Sequence, residues 1–304
     1  MPLLHRIARC TISTLALAAC AARVTNAPGA GLDSVAAAIS ARAERTPGAV
    51  VRVVAARLDG RGPRIAIHAD SLVHAASTMK VPVMIALAQA ADRGSLRLDD
   101  AVPLTNRFAS IVDGSLYSLA RSDDSDDSVY ARIGERVPLR WLATRMITHS
   151  SNLATNLLLT VVRADSVTAV TRTLGTTRMV VRRGVEDGPA FRAGLNNVTT
   201  AADLARLLVA IATDRAASPE ACAWMREVLL AQHWNDAIPV GLPTGTRIAH
   251  KTGNITAVEH DAAIVYPADA APYVLIILTS GVARAEDART LIADIARLVH
   301  PAMR

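Results

Sequence analysis

Two lysines stand in a chain that otherwise carries its positive charge as arginine: of 33 Lys and Arg residues, all but Lys80 and Lys251 are arginine. The distinction is chemical. A guanidinium stays protonated inside a protein, whereas a desolvated lysine can give up its proton and act as a base. Lys80 closes the tetrapeptide Ser77-Thr78-Met79-Lys80, at the head of the apolar run Val81–Ala88. Residues three apart on a helix share a face within side-chain reach, so the spacing predicts contact between Ser77 and Lys80. A lysine so placed can activate a serine hydroxyl as a nucleophile without histidine. Two further polar clusters follow, Ser150-Ser151-Asn152 and Lys251-Thr252-Gly253, and the second begins with the other lysine.

Each cluster needs an element to hold it. The Ser77 stretch predicts a helix that is apolar on nearly all sides until Gln89, hence buried, with Gly94 as its C-terminal cap. Pro82 sits too deep to be the first helical residue and predicts a bend. Ser150 and Asn152 are two apart and cannot share a helix face. They fit a short loop between predicted helices at Leu139–Thr148 and Leu153–Arg163. Lys251 ends a β-rich run from Thr246, with a turn expected at Thr252–Asn254 and further strands at Glu259–Tyr266 and Tyr273–Thr279. Near the N-terminus, Ala49–Arg57 and Arg64–His68 read as a hairpin across Asp59–Pro63. Helices are expected over Asp33–Arg45, capped by Asp33 or Ser34, from a cap at Thr199 or Thr200 through Thr213, and over Ser166–Leu174, Pro219–Gln232 and Arg284–Val299. Arg183–Asn197 reads as a Gly- and Arg-rich loop, and Asp123–Asp127 as a solvated one. Strands at both ends with helices between predict a mixed α/β (α+β) fold: one antiparallel sheet built from N- and C-terminal strands with flanking helices, and an inserted all-helical lobe.

The three motifs in this order, together with the sheet–helices–sheet layout, resemble the class A β-lactamases and the related penicillin-binding proteins over roughly residues 31–300. The resemblance implies a β-lactamase/transpeptidase-like fold, an acyl-enzyme on Ser77 and no cofactor or metal. Acyl transfer needs a base, an acid for the departing nitrogen and donors for the oxyanion. Lys80 is the candidate base or proton relay. Ser150 would pass a proton to the leaving nitrogen, and Lys251 and Thr252 would bind a substrate carboxylate. Asn152 would hold Lys80 and the substrate amide, and the N–H groups of Ser77 and Asn254 would form the oxyanion hole. Deacylation in the class A family uses a loop glutamate, here Glu186, with Asp187 as the fallback base. Three departures stand out. Ser151 replaces the family's usual aspartate, Ala190 stands where a water-holding asparagine is expected, and Glu259-His260-Asp261 supplies no carboxylate-binding arginine. The implied substrate is a β-lactam, or a peptidoglycan-like peptide if the chain is a D-alanyl-D-alanine peptidase or esterase. A sensor or binding lipoprotein that is acylated without turnover is the third reading.

Composition closes other routes. A chain of 304 residues at 51% hydrophobic content can bury a substantial core in one or two domains. Its +6 charge comes from scattered arginines without a basic run, and aromatics are only 3%, which argues against nucleic-acid binding. Residues 1–19 read as a secretory signal, and Leu17-Ala18-Ala19-Cys20 resembles a lipobox that would lipidate Cys20. A short linker at 20–30 then leads to a catalytic domain at 31–304. The expected product is an exported monomer, periplasmic or lipid-anchored to the cell envelope. Cys222 is the one cysteine of the body, so no internal disulfide is available, and it reads as a buried apolar residue. His74, His149, His233, His250 and His260 lack metal-ligand spacing, and no G-x-S-x-G elbow occurs.

Overall fold

The computed structural model describes residues 28–60 and 64–304; the expected signal segment, Cys20, most of the linker and the Arg61–Pro63 turn lie outside the described residues. Helix α1 spans Pro28–Glu44 and starts earlier than its predicted Asp33 or Ser34 cap. A proline is well suited to the first helical position, where its missing N–H has no helical partner to lose. Strands β1 (Val50–Arg57) and β2 (Arg64–Ile67) form the expected antiparallel pair. At the other end of the chain come β3 (Arg247–Ile255), β4 (Val258–Tyr266) and β5 (Tyr273–Ser280). The sheet runs β2-β1-β5-β4-β3, so β1 from the N-terminus pairs with β5 and leaves β3 as an edge. One antiparallel sheet is thus assembled from both ends of the chain, as predicted.

Both faces of the sheet are covered, and strand alternation divides its side chains between two cores. Tyr273, Leu275 and Ile277 of β5 join Ile39 of α1 and Leu291, Ile295 and Val299 of the C-terminal helix on one side. Val274, Ile276 and Leu278 join the helical lobe on the other. That lobe contains α2 (Lys80–Asp92), α3 (Leu139–Thr148), α4 (Asn152–Val162), α5 (Ala164–Thr173), the short α6 (Gly188–Arg192), α7 (Ala201–Ala212) and α8 (Pro219–Leu230); α9 (Ala285–Met303) closes the chain.

Helix α2 is the axis of the lobe. Val81, Val83, Met84, Ile85 and Leu87 are all fully buried, and each such side chain contributes roughly 1.5–3 kcal/mol on transfer from water. A 3₁₀ turn at Ala76–Met79 precedes the helix. Pro82 therefore falls in the first turn of α2, where a missing N–H is tolerated, and not deep inside it. At the other end Gly94, at φ +70°, closes the helix, with Gly94 N–H donating to Ala91 O and Ser95 N–H to Ala90 O.

The expected turn at Thr252–Asn254 is a misreading. β3 runs on to Ile255, and the chain reverses at Thr256-Ala257 between the paired residues Ile255 and Val258. Pairing with β4 places Asp261 opposite Thr252, His260 opposite Gly253 and Glu259 opposite Asn254, so cross-strand bonding overrides the turn tendency of the glycine. The loop at Arg183–Asn197 also differs from expectation, because Asp187 caps Ala190 N–H and starts α6 within it.

Candidate active site

Ser77 lies in the 3₁₀ turn and Lys80 is the first residue of α2, so the pair straddles a change in helix type. Ala76, just before the nucleophile candidate, adopts a left-handed φ of +45°. Ser150 and Glu186 do the same at φ +61° and +60°, each at a cost of roughly 1–2 kcal/mol for an L-residue. Strain of this kind gathers where surrounding contacts hold it for function. At Ser150 the benefit is visible, because the residue presents both its carbonyl and its hydroxyl to one amine.

That amine is Lys80 Nζ. It is fully buried and lies 2.5 Å from Ser150 O, 3.2 Å from Ser150 Oγ and 2.8 Å from Asn152 Oδ1. Ser77 and Lys80 line the same cleft, and the hydrogen bonds of the amine among the described residues go to Ser150 and Asn152. Burial, reinforced by Lys251, holds the Lys80 pKa well below the ordinary lysine value, against the opposing pull of Asp124 and Glu186. Lys251 Nζ is also fully buried and lies 3.1 Å from Ser150 Oγ, with a second bond of 2.9 Å to Thr252 O. Burial pushes it down to about 7, while Asp261 pulls the other way. One hydroxyl therefore bridges the only two lysines of the chain. A hydroxyl can donate and accept at once, so Ser150 can carry a proton between the two amines or toward a leaving group.

The missing acid at Ser151 is replaced from elsewhere. Asp124 Oδ2 accepts from Leu153 N–H at 2.8 Å and from Ser151 Oγ at 3.2 Å, while Ser151 Oγ caps α4 through Ala154 N–H. Asp123 O receives Asn152 Nδ2–H at 2.8 Å. Asp126 is buried, caps the turn at Asp127–Tyr130 and pairs with Arg145. The Asp-rich stretch is therefore the support of the second motif, not merely a solvated loop. Its role was hidden because the acid lies 27 residues from the serine that it serves.

Gly253 explains the third motif. A Cβ there would lie 2.9 Å from both Ser77 N and Thr78 N, closer than side chains tolerate. Its absence lets edge strand β3 approach the start of α2, bringing Asn254 beside Ser77 at the mouth of one cleft. Ser77, Lys80, Asn152, Glu186 and Asn254 all line this cleft, of about 440 Å³. It joins a larger cavity lined by Ser77, Ser150, Asn152, Thr252 and Glu186. The structure thus brings together every residue singled out by the motifs.

The loop side is built differently. Glu186 is exposed at the cleft rim, and its carboxylate makes no hydrogen bond among the described residues. Its neighbour Val185 is clamped through both backbone groups by Asn156, with Val185 N–H to Oδ1 at 2.6 Å and Nδ2–H to Val185 O at 2.9 Å. Asn156 was not singled out from the sequence. Its signal is the spacing of four from Asn152 on an apolar helix, which puts both amides on one face. Asp187 cannot serve as the fallback base. It is fully buried and bonded to Ser110 Oγ, Ile111 N–H and Ala190 N–H. Ala190 is itself fully buried, and Phe191 lines the cleft instead. The absent arginine has a counterpart on another element: Arg289 of α9 reaches the larger cavity. His260, opposite Gly253, turns its ring to the backbone carbonyls of Glu259 and His74. Cys222 is buried, and burial raises its thiol pKa, consistent with a packing role.

The sequence model of the β-lactamase enzyme family matches residues 34–303. Among solved structures, the β-lactamase from Sphaerobacter thermophilus DSM 20745 is 27% identical, with a TM-score of 0.74 over 90% of this chain and 96% of that one. PBP-A shares the fold at 24% identity and a TM-score of 0.77, over 89% of this chain and 96% of that one. So does an ancestral (GNCA) class A β-lactamase, at 24% and 0.76, over 88% of this chain and 98% of that one. No curated protein matches the sequence.

Proposed function

The chain belongs to the β-lactamase enzyme family, and on that premise we propose that it is an exported class A serine β-lactamase acting through an acyl-enzyme on Ser77. Ser77 Oγ attacks the lactam carbonyl while its proton passes to the neutral Lys80 amine, directly or through Ser150. The carbonyl oxygen becomes an oxyanion facing the N–H groups of Ser77 and Asn254. As the C–N bond breaks, Ser150 Oγ–H protonates the nitrogen and recovers a proton from one of the lysines. Glu186 then takes a proton from water as the water oxygen attacks the ester carbonyl. That proton is delivered to Ser77 Oγ as its bond to the acyl carbon breaks, which restores the hydroxyl and the Glu186 carboxylate. Asn152 holds Lys80 and the substrate amide, and Lys251 and Thr252 draw in the leaving-group side of the substrate.

The observation that carries this reading is Ser150 Oγ set between the two buried amines, 3.2 Å from Lys80 and 3.1 Å from Lys251. The test is hydrolysis of a chromogenic cephalosporin, with intact-mass detection of the adduct. Ser77→Ala is expected to abolish both turnover and labelling while leaving thermal stability nearly unchanged. Labelling that survives this change would disprove the assignment.

A second reading, a D-alanyl-D-alanine peptidase or esterase or a β-lactam sensor without turnover, draws on the unanchored Glu186 carboxylate and the buried Ala190. Under it, the cephalosporin adduct forms and persists. The N-terminal sequence pattern around Cys20 supports export to the periplasm or lipid anchoring in the envelope. Labelling of the full chain with radioactive palmitate, lost in Cys20→Ser, is the expected result for the anchored form.

A further inference from the structure

On the side of Ser150 and Thr252 the cleft widens into a cavity of about 700 Å³. Its wall contains the Arg289 guanidinium, and two carboxylates already hold it. Nη1 lies 3.5 Å from Glu259 Oε1, and Nε lies 3.2 Å from Asp236 Oδ2. Asp236 is half-exposed and screened by solvent. Glu259 is nearly buried, fixed on β4 opposite Asn254, and cannot turn its charge to bulk water. One guanidinium against two carboxylates leaves this wall net negative, and Asp123 and Asp124 line the same cavity from the helical lobe. Asp261 on the same strand, bound by His250 and Ile238 N–H, adds to the negative charge near Glu259, and the His260 ring faces backbone carbonyls and does not offset it.

We propose that Glu259 is a specificity-determining residue: its carboxylate occupies Arg289 and disfavours substrates with a carboxylate beside the scissile bond, so that the site prefers acyl donors uncharged on the leaving-group side. The proposal rests on the serine acyl-transfer reading above. Protonation of Glu259 releases the restriction. Burial, with Asp236 and Asp261, pushes Glu259 up to about 7 against the opposing effect of Arg289. Below that pH its charge is gone and Arg289 is free to receive an anion; above it the anion meets a negative wall.

The experiment compares acylation by benzylpenicillin with that by its methyl ester, read by intact mass between pH 5.5 and 8.5. The expected result is a penicillin-to-ester rate ratio that rises on acidification through about pH 7. Glu259→Gln should raise that ratio about tenfold at pH 8, the scale of removing one close like charge. Arg289→Gln should lower it by a similar factor, because Glu259 then stands uncompensated. Because Lys251 titrates in the same range, the substitutions decide: a ratio unmoved by Glu259→Gln at pH 8, with both compounds still forming adducts, overturns the proposal alone. No adduct from either compound overturns the acyl-transfer reading and this proposal with it.

Discussion

The two sides of the cleft are built to different standards. On one side Lys80, Ser150 and Lys251 are buried and tied by bonds of 2.5–3.2 Å, with Asn152 and Asp124 fixing the loop that carries Ser150. On the other side Glu186 stands at the rim, its carboxylate held by no bond among the described residues, while its neighbour Val185 is clamped. In the proposed reaction the first side would serve attack and protonation of the leaving group, which need fixed donors and a neutral base, and the second only the water step. On that proposal the geometry is more tightly fixed for acylation than for deacylation.

The largest loss is expected at Lys80. Lys80→Arg is expected to lose roughly 10³–10⁴-fold in acylation, as much as Lys80→Ala, because a guanidinium cannot accept the serine proton. Pre-steady-state labelling measures this, with circular dichroism to confirm folding. Gly253→Ala should come next. The methyl would meet Ser77 N and Thr78 N at 2.9 Å, forcing β3 from the nucleophile and costing on the order of 10²-fold for a displacement near 1 Å. An unaffected Gly253→Ala enzyme would remove the close approach from the account. Lys251→Arg sharpens the picture with the smallest loss, a few-fold at pH 6, on the order expected where only charge and a donor are needed. With Lys251 at about 7, its charge is present below that pH and lost above it. Acylation by an anionic substrate should decline through pH 7 in the parent. In Lys251→Arg the charge persists, so the part of the decline due to this residue should disappear from the pH profile.

What the sequence revealed and what it hid divide along chain separation. The Ser77 and Lys251 motifs were legible because each is a few residues long and carries a rare lysine. The sheet was legible from β-branched runs at both ends of the chain. The turn read into Thr252–Asn254 failed because Gly253 is there for space against Ser77, a requirement set by a residue 176 positions away. Asp124 beneath Ser151, and Glu259 against Arg289, are pairings of the same long-range kind, with no local pattern to announce them. Asp187 stood as the fallback base behind Glu186 in the sequence. Only the fold shows its carboxylate bonded to Ser110 Oγ, Ile111 N–H and Ala190 N–H.

The most direct test of the contrast is a stopped-flow acylation trace paired with intact-mass decay of the adduct in Glu186→Gln and the parent. The account predicts equal acylation in the two proteins. It predicts an adduct that decays in the parent and persists in Glu186→Gln, with turnover reduced on the order of 10²–10⁴-fold as for loss of a general base. Release of the acyl group by Glu186→Gln as fast as by the parent would contradict it and leave Glu186 a loop carboxylate without a part in the reaction.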